Sequence, residues 1–419
     1  MSHLWVILTA AACVLPCAAL GCFLVLRRMS LLGDAITHAI LPGLVIGFAV
    51  SGSRGLVPML IGAGLTGVLT ALLSAALTRW GRVDPSAALG VVFSSMFAIG
   101  VLLINRYARN VDLDPGCVLY GVIETVSFDT TTVLGIELPR ALLSLSIVAA
   151  VVLIGVAVFF KELRIVSFDP ALATTLGISA AAVHYGLMAA VAATSVASFE
   201  AVGSVLVVAM LVAPGAAAQM LTDRLRTMVV LAMLIGLVDV LLGYLAAYWL
   251  NTSVAGAIAA AAGAVFLLCC IAAPRYGIVS KLIGRFRLSV RIAEEDILGR
   301  CYRAHEQGAT VAAEQLLRPN LAARTAMRRL VRSGRIALQG TDKFAALTAQ
   351  GVEQGRGIVR SHRLWETFLA KESPLPIDHL HEPSERTEHF ISPEMQVELA
   401  RDVGGVDPHG KAIPPLDGR

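Results

Sequence analysis

Hydrophobic positions run in long blocks through the first two thirds of the chain and give way to short, spaced groups beyond residue 289. The blocks cover 4–26, 31–50, 56–78, 86–105, 141–160, 180–198, 201–221, 228–250 and 254–273. Each is close to the ~20 apolar residues that a helix needs to cross a hydrocarbon layer, so the pattern predicts about nine transmembrane helices. Farther on, Ile297, Leu298, Cys301 and Tyr302, then Val311, Leu316 and Leu317, then Leu321, Met327, Leu330 and Val331 recur at helical spacing. With Gly308 and Pro319 at the joints, they predict three short helices in a helix-turn-helix arrangement.

Composition sharpens this division. Hydrophobic residues make up 56% of the 419 and charged residues 15%, too apolar for an ordinary soluble protein. Residues 1–273 hold 12 Lys and Arg and 12 Asp and Glu, whereas 274–419 hold 22 and 18. A membrane domain at 1–275, a linker at 276–288 and soluble parts at 289–347 and 348–419 follow. The first block lacks a basic start and ends in Arg27 and Arg28, the reverse of a signal peptide, so it reads as a retained helix. Seven cysteines without CxxC spacing read as small core residues.

Basic residues follow the first, third, fifth, seventh and ninth blocks: Arg27 and Arg28, Arg79 and Arg82, Lys161 and Arg164, Arg224 and Arg226, then Arg275, Lys281, Arg285 and Arg287. The positive-inside rule places these connections, and the C-terminal part, in the cytoplasm of a cell-membrane protein whose N-terminus is outside. Pro42 and Pro214, in Gly- and Ala-rich surroundings, mark the second and seventh helices as candidates for lining a pathway.

Ionisable residues within spans are costly and draw attention to function. Asp34 and His38, four apart, share a helix face and suit a transition-metal cation. The alternative is a helix cap and a histidine bonded to a neighbouring carbonyl. His184, Glu200 and Asp239 read first as packing or span-end residues and second as pathway residues. No GxxxxGK[ST] phosphate loop occurs, so the chain does not hydrolyse ATP itself.

In the soluble part, 318–335 holds Arg318, Arg324, Arg328, Arg329, Arg332 and Arg335 and no acid, the charge pattern of a surface for phosphates, on DNA or on anionic lipid. His362 and Glu366 stand four apart, and His381, Glu385, Glu388 and His389 follow. Mixed His and carboxylate sets of this kind suit manganese or ferrous iron; the alternative is a solvated charged helix.

Two resemblances bear on these choices. The run from Val25 to Gly43, with Asp34-Ala-Ile-Thr-His38, together with Phe168-Asp-Pro-Ala-Leu-Ala-Thr-Thr-Leu-Gly177 and the run from Val202 to Gly215, resembles the manganese/zinc/iron permease family of ABC importers over about residues 5–273. The resemblance implies that Asp34 and His38 contact the metal in transit. It also implies that Asp169, Pro170 and Gly177 belong to the loop that docks on a separate ATPase subunit. An extracytoplasmic metal-binding protein is a further implied partner, with a second copy or a sister permease completing the pathway. Pro-Gly-Ala at 214–216 departs slightly from relatives, which carry small alanines after the proline.

Over about 290–415, Leu347-Thr-Ala-Gln-Gly351, Val359-Arg-Ser-His-Arg-Leu-Trp-Glu366, Glu385-Arg-Thr-Glu-His-Phe-Ile-Ser392 and Asp407-Pro-His-Gly410 resemble the diphtheria-toxin-repressor type of iron- and manganese-dependent repressor. This resemblance implies a winged helix-turn-helix followed by a helical metal-binding and dimerisation domain. Asp296, His362, Glu366, His381, Glu385, Glu388 and His389 then fall on positions that ligate manganese, iron or zinc; Arg324, Arg328, Arg329 and Arg332, read from charge and helical spacing, lie on the third helix, 321–333, the candidate for DNA contact. Glu385 stands where iron-type members have Cys, and Gly299 where manganese-type members have a ligating Glu.

The fold class read from the whole is thus an all-α polytopic membrane protein followed by a soluble regulatory domain. Its expected function is that of a permease, not an enzyme, for divalent transition metal. A membrane-tethered or released repressor is the alternative reading, and an export or proton-coupled carrier without an ATPase a further one.

Overall fold

A long apolar segment in lipid satisfies its backbone polar groups only by closing them on itself as a helix, and helices dominate the computed structural model of the chain. The structure describes all residues except 1, 30–34, 36–37, 53–55, 108–120, 122, 134–135, 317–319, 340–343, 374–383, 385–386 and 416–419. It forms two units, Met1–Ser280 and Lys281–Arg419.

The first unit comprises α1 (Ser2–Leu26), α2 (Leu41–Ser51), α3 (Leu56–Trp80), α4 (Pro85–Tyr107), a 3-10 turn (Ile123–Phe128) and the hairpin β1 (Thr130–Val133) and β2 (Ile136–Pro139). It continues with α5 (Arg140–Val158), α6 (Phe160–Phe168), α7 (Pro170–Thr175), α8 (Ala180–Leu221), α9 (Leu225–Leu250) and α10 (Val254–Ala272). Among the described residues, these helices supply eight segments long and apolar enough to cross a bilayer, two of them within α8.

α1 is the central element, packed against α5, α8 and α9. Its sequence explains why: Cys13, Cys17, Ala18, Ala19, Gly21 and Cys22 are small, and small residues let helix backbones approach where lipid gives no hydrophobic drive to associate. A Cβ on Gly21 would stand 1.8 Å from the Leu211 carbonyl oxygen of α8. The described cysteines are free thiols, those of α1 fully buried.

Two features differ from the sequence reading. Within the block 31–50, whose residues 31–34 and 36–37 lie outside the described residues, the longest described piece is the short helix α2, with Pro42 in its first turn. Helical residues Ala35, His38 and Ala39 precede it, set off by a turn at Ile40, so Pro42 stands just after a joint, where its missing N–H and fixed φ suit the first turn of the next helical piece. The blocks 180–198 and 201–221 join in α8 across a break at Gly203 (φ 76°, ψ 160°).

The second unit begins within α11 (Ile278–Glu306), so most of the expected linker at 276–288 is helical. There follow β3 (Val311–Ala312), α12 (Ala313–Leu316), α13 (Leu321–Arg332), β4 (Ile336–Gln339), β5 (Phe344–Leu347), α14 (Ala349–Glu372), a 3-10 turn (Glu388–Phe390) and α15 (Pro393–Asp402). The antiparallel sheet has order β3-β5-β4, with Ile336 opposite Leu347 and Gln339 opposite Phe344. α11, α12 and α13 share a core of Ile297, Leu298, Cys301, Leu316, Ala326, Met327 and Leu330. This is a helix-turn-helix with the β4–β5 hairpin as its wing.

Candidate functional sites

In the membrane unit His38 precedes α2 and is half-buried. Its ring meets the edge of Phe97 at 5.7 Å and lies 6.5 Å from Phe93, both on α4. α2 is held there by a reciprocal glycine contact: a Cβ on Gly43 would lie 2.1 Å from the Gly62 oxygen of α3, and one on Gly62 would lie 2.1 Å from the Gly43 oxygen. Asp34 lies outside the described residues, as does the Glu200 side chain.

The other intramembrane candidates separate. His184 Nδ1 lies 3.2 Å from an Arg27 guanidinium nitrogen, which ties the start of α8 to the end of α1. Asp239 is completely buried in the middle of α9, and among the described residues neither of its oxygens has a hydrogen-bond partner. It is therefore no span-end residue.

The segment 169–177 forms a compact knob. Asp169 caps α7 by accepting from Ala171 N at 3.0 Å and Leu172 N at 2.9 Å, the usual service of an aspartate at a helix start, and Pro170 occupies the first turn. Gly177 ends it in the left-handed region (φ 80°), with Ile178 N donating to Ala173 O, a glycine-terminated helix end. Phe168, Leu172 and Leu176 are exposed on this knob.

In the second unit, predicted ligands meet in two places. His362 and Glu366, buried on α14, bring Nε2 and Oε2 to 3.7 Å. His409 Nε2 approaches Glu366 Oε1 at 3.4 Å. His409 is placed by a turn in which Asp407 accepts from His409 N at 3.0 Å and Lys411 N at 2.7 Å. Buried Arg363 binds Glu306 with both terminal nitrogens, at 3.1 and 2.6 Å, and donates to Ala412 O at 2.7 Å.

The second meeting point is His389, whose Nε2 lies 3.4 Å from Asp296 Oδ1 and whose Nδ1 lies 2.7 Å from Glu295 Oε2. Burial raises the Glu295 carboxyl, but hydrogen bonds from His389 and Arg291 outweigh it and hold the group below the ordinary carboxylate range. Glu295 and His409 were not among the ligands read from the sequence. The first adjoins Asp296, and the second sits in the Asp407-Pro-His-Gly410 motif.

His381, Glu385 and the Glu388 side chain lie outside the described residues, and among those described no group of three or more His, Cys, Asp or Glu is arranged to hold a metal ion. The donor sets nonetheless fit a divalent transition metal: they are nitrogen and oxygen donors, buried or partly so except for the exposed His409, and 2.7–3.7 Å apart in pairs. Two ligands at ~2.1 Å from one ion stand at about such separations. A Cβ on Gly299 would meet only Ile358 at 3.5 Å and Arg303 at 3.9 Å.

Arg324, Arg328, Arg329 and Arg332 are all exposed on α13, whose buried side carries Ala322, Ala323, Ala326, Met327 and Leu330. Asn320 caps the helix by accepting from Ala322 N at 3.0 Å. Arg329 lies 3.9 Å from Glu294 of α11.

Membrane-length helices packed through glycine contacts, joined in one chain to a winged helix-turn-helix, define a multi-pass membrane protein with a regulatory domain. Residues 2–273 match the ABC 3 transport family, and the chain belongs to that family. Residues 348–415 match the iron dependent repressor, metal binding and dimerisation domain. The chain is 45% identical over 278 residues, 66% of its length and 94% of the relative's, to the manganese transport system membrane protein MntD of Bacillus subtilis. It is 38% identical to the zinc transport system membrane protein TroD of Treponema pallidum, over 66% of this chain and 76% of that one. Among solved structures, PsaBC from Streptococcus pneumoniae in complex with Fab matches with a TM-score of 0.56 and 31% identity, over 65% of this chain and 92% of that chain. The protein is a membrane permease of a transport system with a metal-dependent repressor-type domain on its C-terminal side.

Proposed function

We propose that the chain is the permease subunit of an ATP-driven importer of manganese, iron or zinc, and that its C-terminal domain senses the same class of cation in the cytoplasm. Family membership across residues 2–273 carries this reading. Asp34 and His38 contact the metal in transit, and the fixed seat of His38 against Phe97 supports a positioned ligand. A separate ATPase subunit docks on Asp169, Pro170 and Gly177, a role suited to a capped knob with exposed Phe168, Leu172 and Leu176. An extracytoplasmic metal-binding protein delivers the ion, and a second copy or sister permease completes the pathway. The N-terminus is outside and the tail inside, as the basic connections imply.

In the tail, Asp296, His389, Glu388, Glu385 and His381, with His362 and Glu366, hold the divalent cation. A bound cation neutralises carboxylates that otherwise repel one another, so occupancy reports metal supply. Arg324, Arg328, Arg329 and Arg332 face nucleic-acid phosphates when the domain pairs with a second copy.

The decisive experiment is uptake of radioactive manganese, iron and zinc by cells that lack their own importers and express the chain with its ATPase. His38→Ala and Asp34→Ala should each abolish uptake at normal membrane levels, and removal of residues after Arg275 should leave uptake intact but unresponsive to stored metal. Undiminished uptake by both substitutions would refute the pathway assignment.

A further inference from the structure

The first turns of α11 carry an apolar face that the protein leaves uncovered. Ile278, Leu282 and Phe286 stand four apart, and Val279 and Ile283 lie beside them. At 100° per residue, these five side chains share one arc of the helix. All are exposed, Leu282 at 58% and Phe286 at 40%, whereas farther along the same helix Val290, Ile297, Leu298 and Cys301 are buried. Contiguous exposed apolar surface of this kind marks a contact with something other than water.

Three observations identify what covers it. α10 ends at Ala272, and the five intervening residues reach no more than roughly 18 Å even when extended, so α11 starts beside the membrane surface. Within that stretch Arg275 and Tyr276 bind the two Asp223 oxygens at 2.5 and 2.6 Å. Asp223 lies between the end of α8 and the start of α9, so the origin of α11 is fastened to a connection on the same side of the helix bundle.

The third observation is charge. From 274 to 293 the chain has Arg275, Lys281, Arg285, Arg287 and Arg291 and no Asp or Glu. Lys281 and Arg285 flank the apolar arc on one edge and Arg287 flanks it on the other, while Ser280 and Gly284 lie opposite. Long basic side chains on the margins of an apolar face let the stems lie among acyl chains while the charges reach headgroups. The same uniform positive charge makes a second copy of this face a poor partner, because the two would repel.

We propose that residues 278–287 form an interfacial helix, its apolar face in the acyl boundary and its basic margins on acidic lipid headgroups of the leaflet where α10 ends. The partner is the anionic lipid surface itself. Tail and permease are thus joined through a segment that reads the local lipid charge.

The test uses the intact protein in lipid nanodiscs of phosphatidylcholine, with or without phosphatidylserine. Nitroxide labels are attached at Leu282→Cys, Phe286→Cys, Ser280→Cys and Gly284→Cys, and the labelled parent protein is subtracted. In discs with phosphatidylserine, labels at 282 and 286 should be relaxed by oxygen and shielded several-fold from a water-soluble nickel chelate; labels at 280 and 284 should show the reverse. Combining Lys281→Gln, Arg285→Gln and Arg287→Gln should return the 282 and 286 labels to the nickel chelate and remove the dependence on phosphatidylserine. Equal nickel access at all four positions would overturn the proposal. So would spin–spin broadening at 282, which signals a second copy, or shielding from oxygen and nickel alike, which signals a protein partner.

Discussion

Glu295 and His389, 94 positions apart in the chain, meet at 2.7 Å, and the contact sets the orientation of the histidine that also faces Asp296. With Glu295 ionised, Nδ1 is the protonated ring nitrogen and Nε2 is turned toward Asp296. Partners that fix a ligating histidine in this way commonly alter metal affinity by about 10–100-fold when removed. Glu295→Gln should therefore weaken Mn(II) binding to the intact protein by at least tenfold, read from the free-ion electron paramagnetic resonance signal. An unchanged affinity would make the pair purely structural.

A second expectation concerns the seat of α2. A side chain at Gly43 or Gly62 meets a backbone oxygen at 2.1 Å, and backbone cannot turn aside as a flexible side chain can. Overpacking costs about 1–3 kcal/mol, occasionally more. Gly43→Leu should lower the melting temperature of the detergent-solubilised protein and reduce transport, while Gly64→Leu, where a Cβ meets nothing within 4 Å, should do neither. Equal melting temperatures for the two variants would contradict the crossing.

For the knob at 169–177, the physical prediction is a separation of two effects. Gly177 has open space around its Cβ position, so Gly177→Ala brings only the left-handed backbone penalty of about 1–2 kcal/mol. Leu176→Asp instead places charge on an exposed apolar surface. Its expected outcome is loss of ATPase stimulation by substrate with normal membrane abundance, measured in proteoliposomes with the ATPase added. Full stimulation would direct attention to another docking segment.

The arginines of α13 make a salt-dependence argument. If Arg324 and Arg328 neutralise phosphates, replacing both by Gln should reduce the slope of log affinity against log salt by about two, since each phosphate contact contributes nearly one unit. Fluorescence anisotropy with labelled duplex DNA and metal-loaded protein measures this slope. The same slope in parent and variant would remove these arginines from the contact.

The membrane helices were legible because lipid permits so few conformations to an apolar run, and a strongly periodic tail needs little more. The pair His362 and Glu366 was readable for a related reason: spacing of four on α14 puts both on one face, and both are buried there. Glu295 and His409 were not readable this way. Each reaches its partner across the fold, through packing and a turn held by Asp407, and no local period announces such contacts.

Gly203 carries a consequence for the history of the chain. Its φ of 76° and ψ of 160° lie in a region open almost solely to glycine, and Gly121 lies so close that a Cβ there would stand 2.5 Å from the Gly203 nitrogen. A first missense step at codon 203 puts a Cβ into forbidden backbone space, and one at codon 121 drives an atom into the break itself. Neighbouring apolar positions of α8 can exchange methyl groups over generations, but these two codons have no mild replacements. Mutational drift should leave them as a matched pair, two positions where lineage change is stopped by the main chain rather than by side-chain packing.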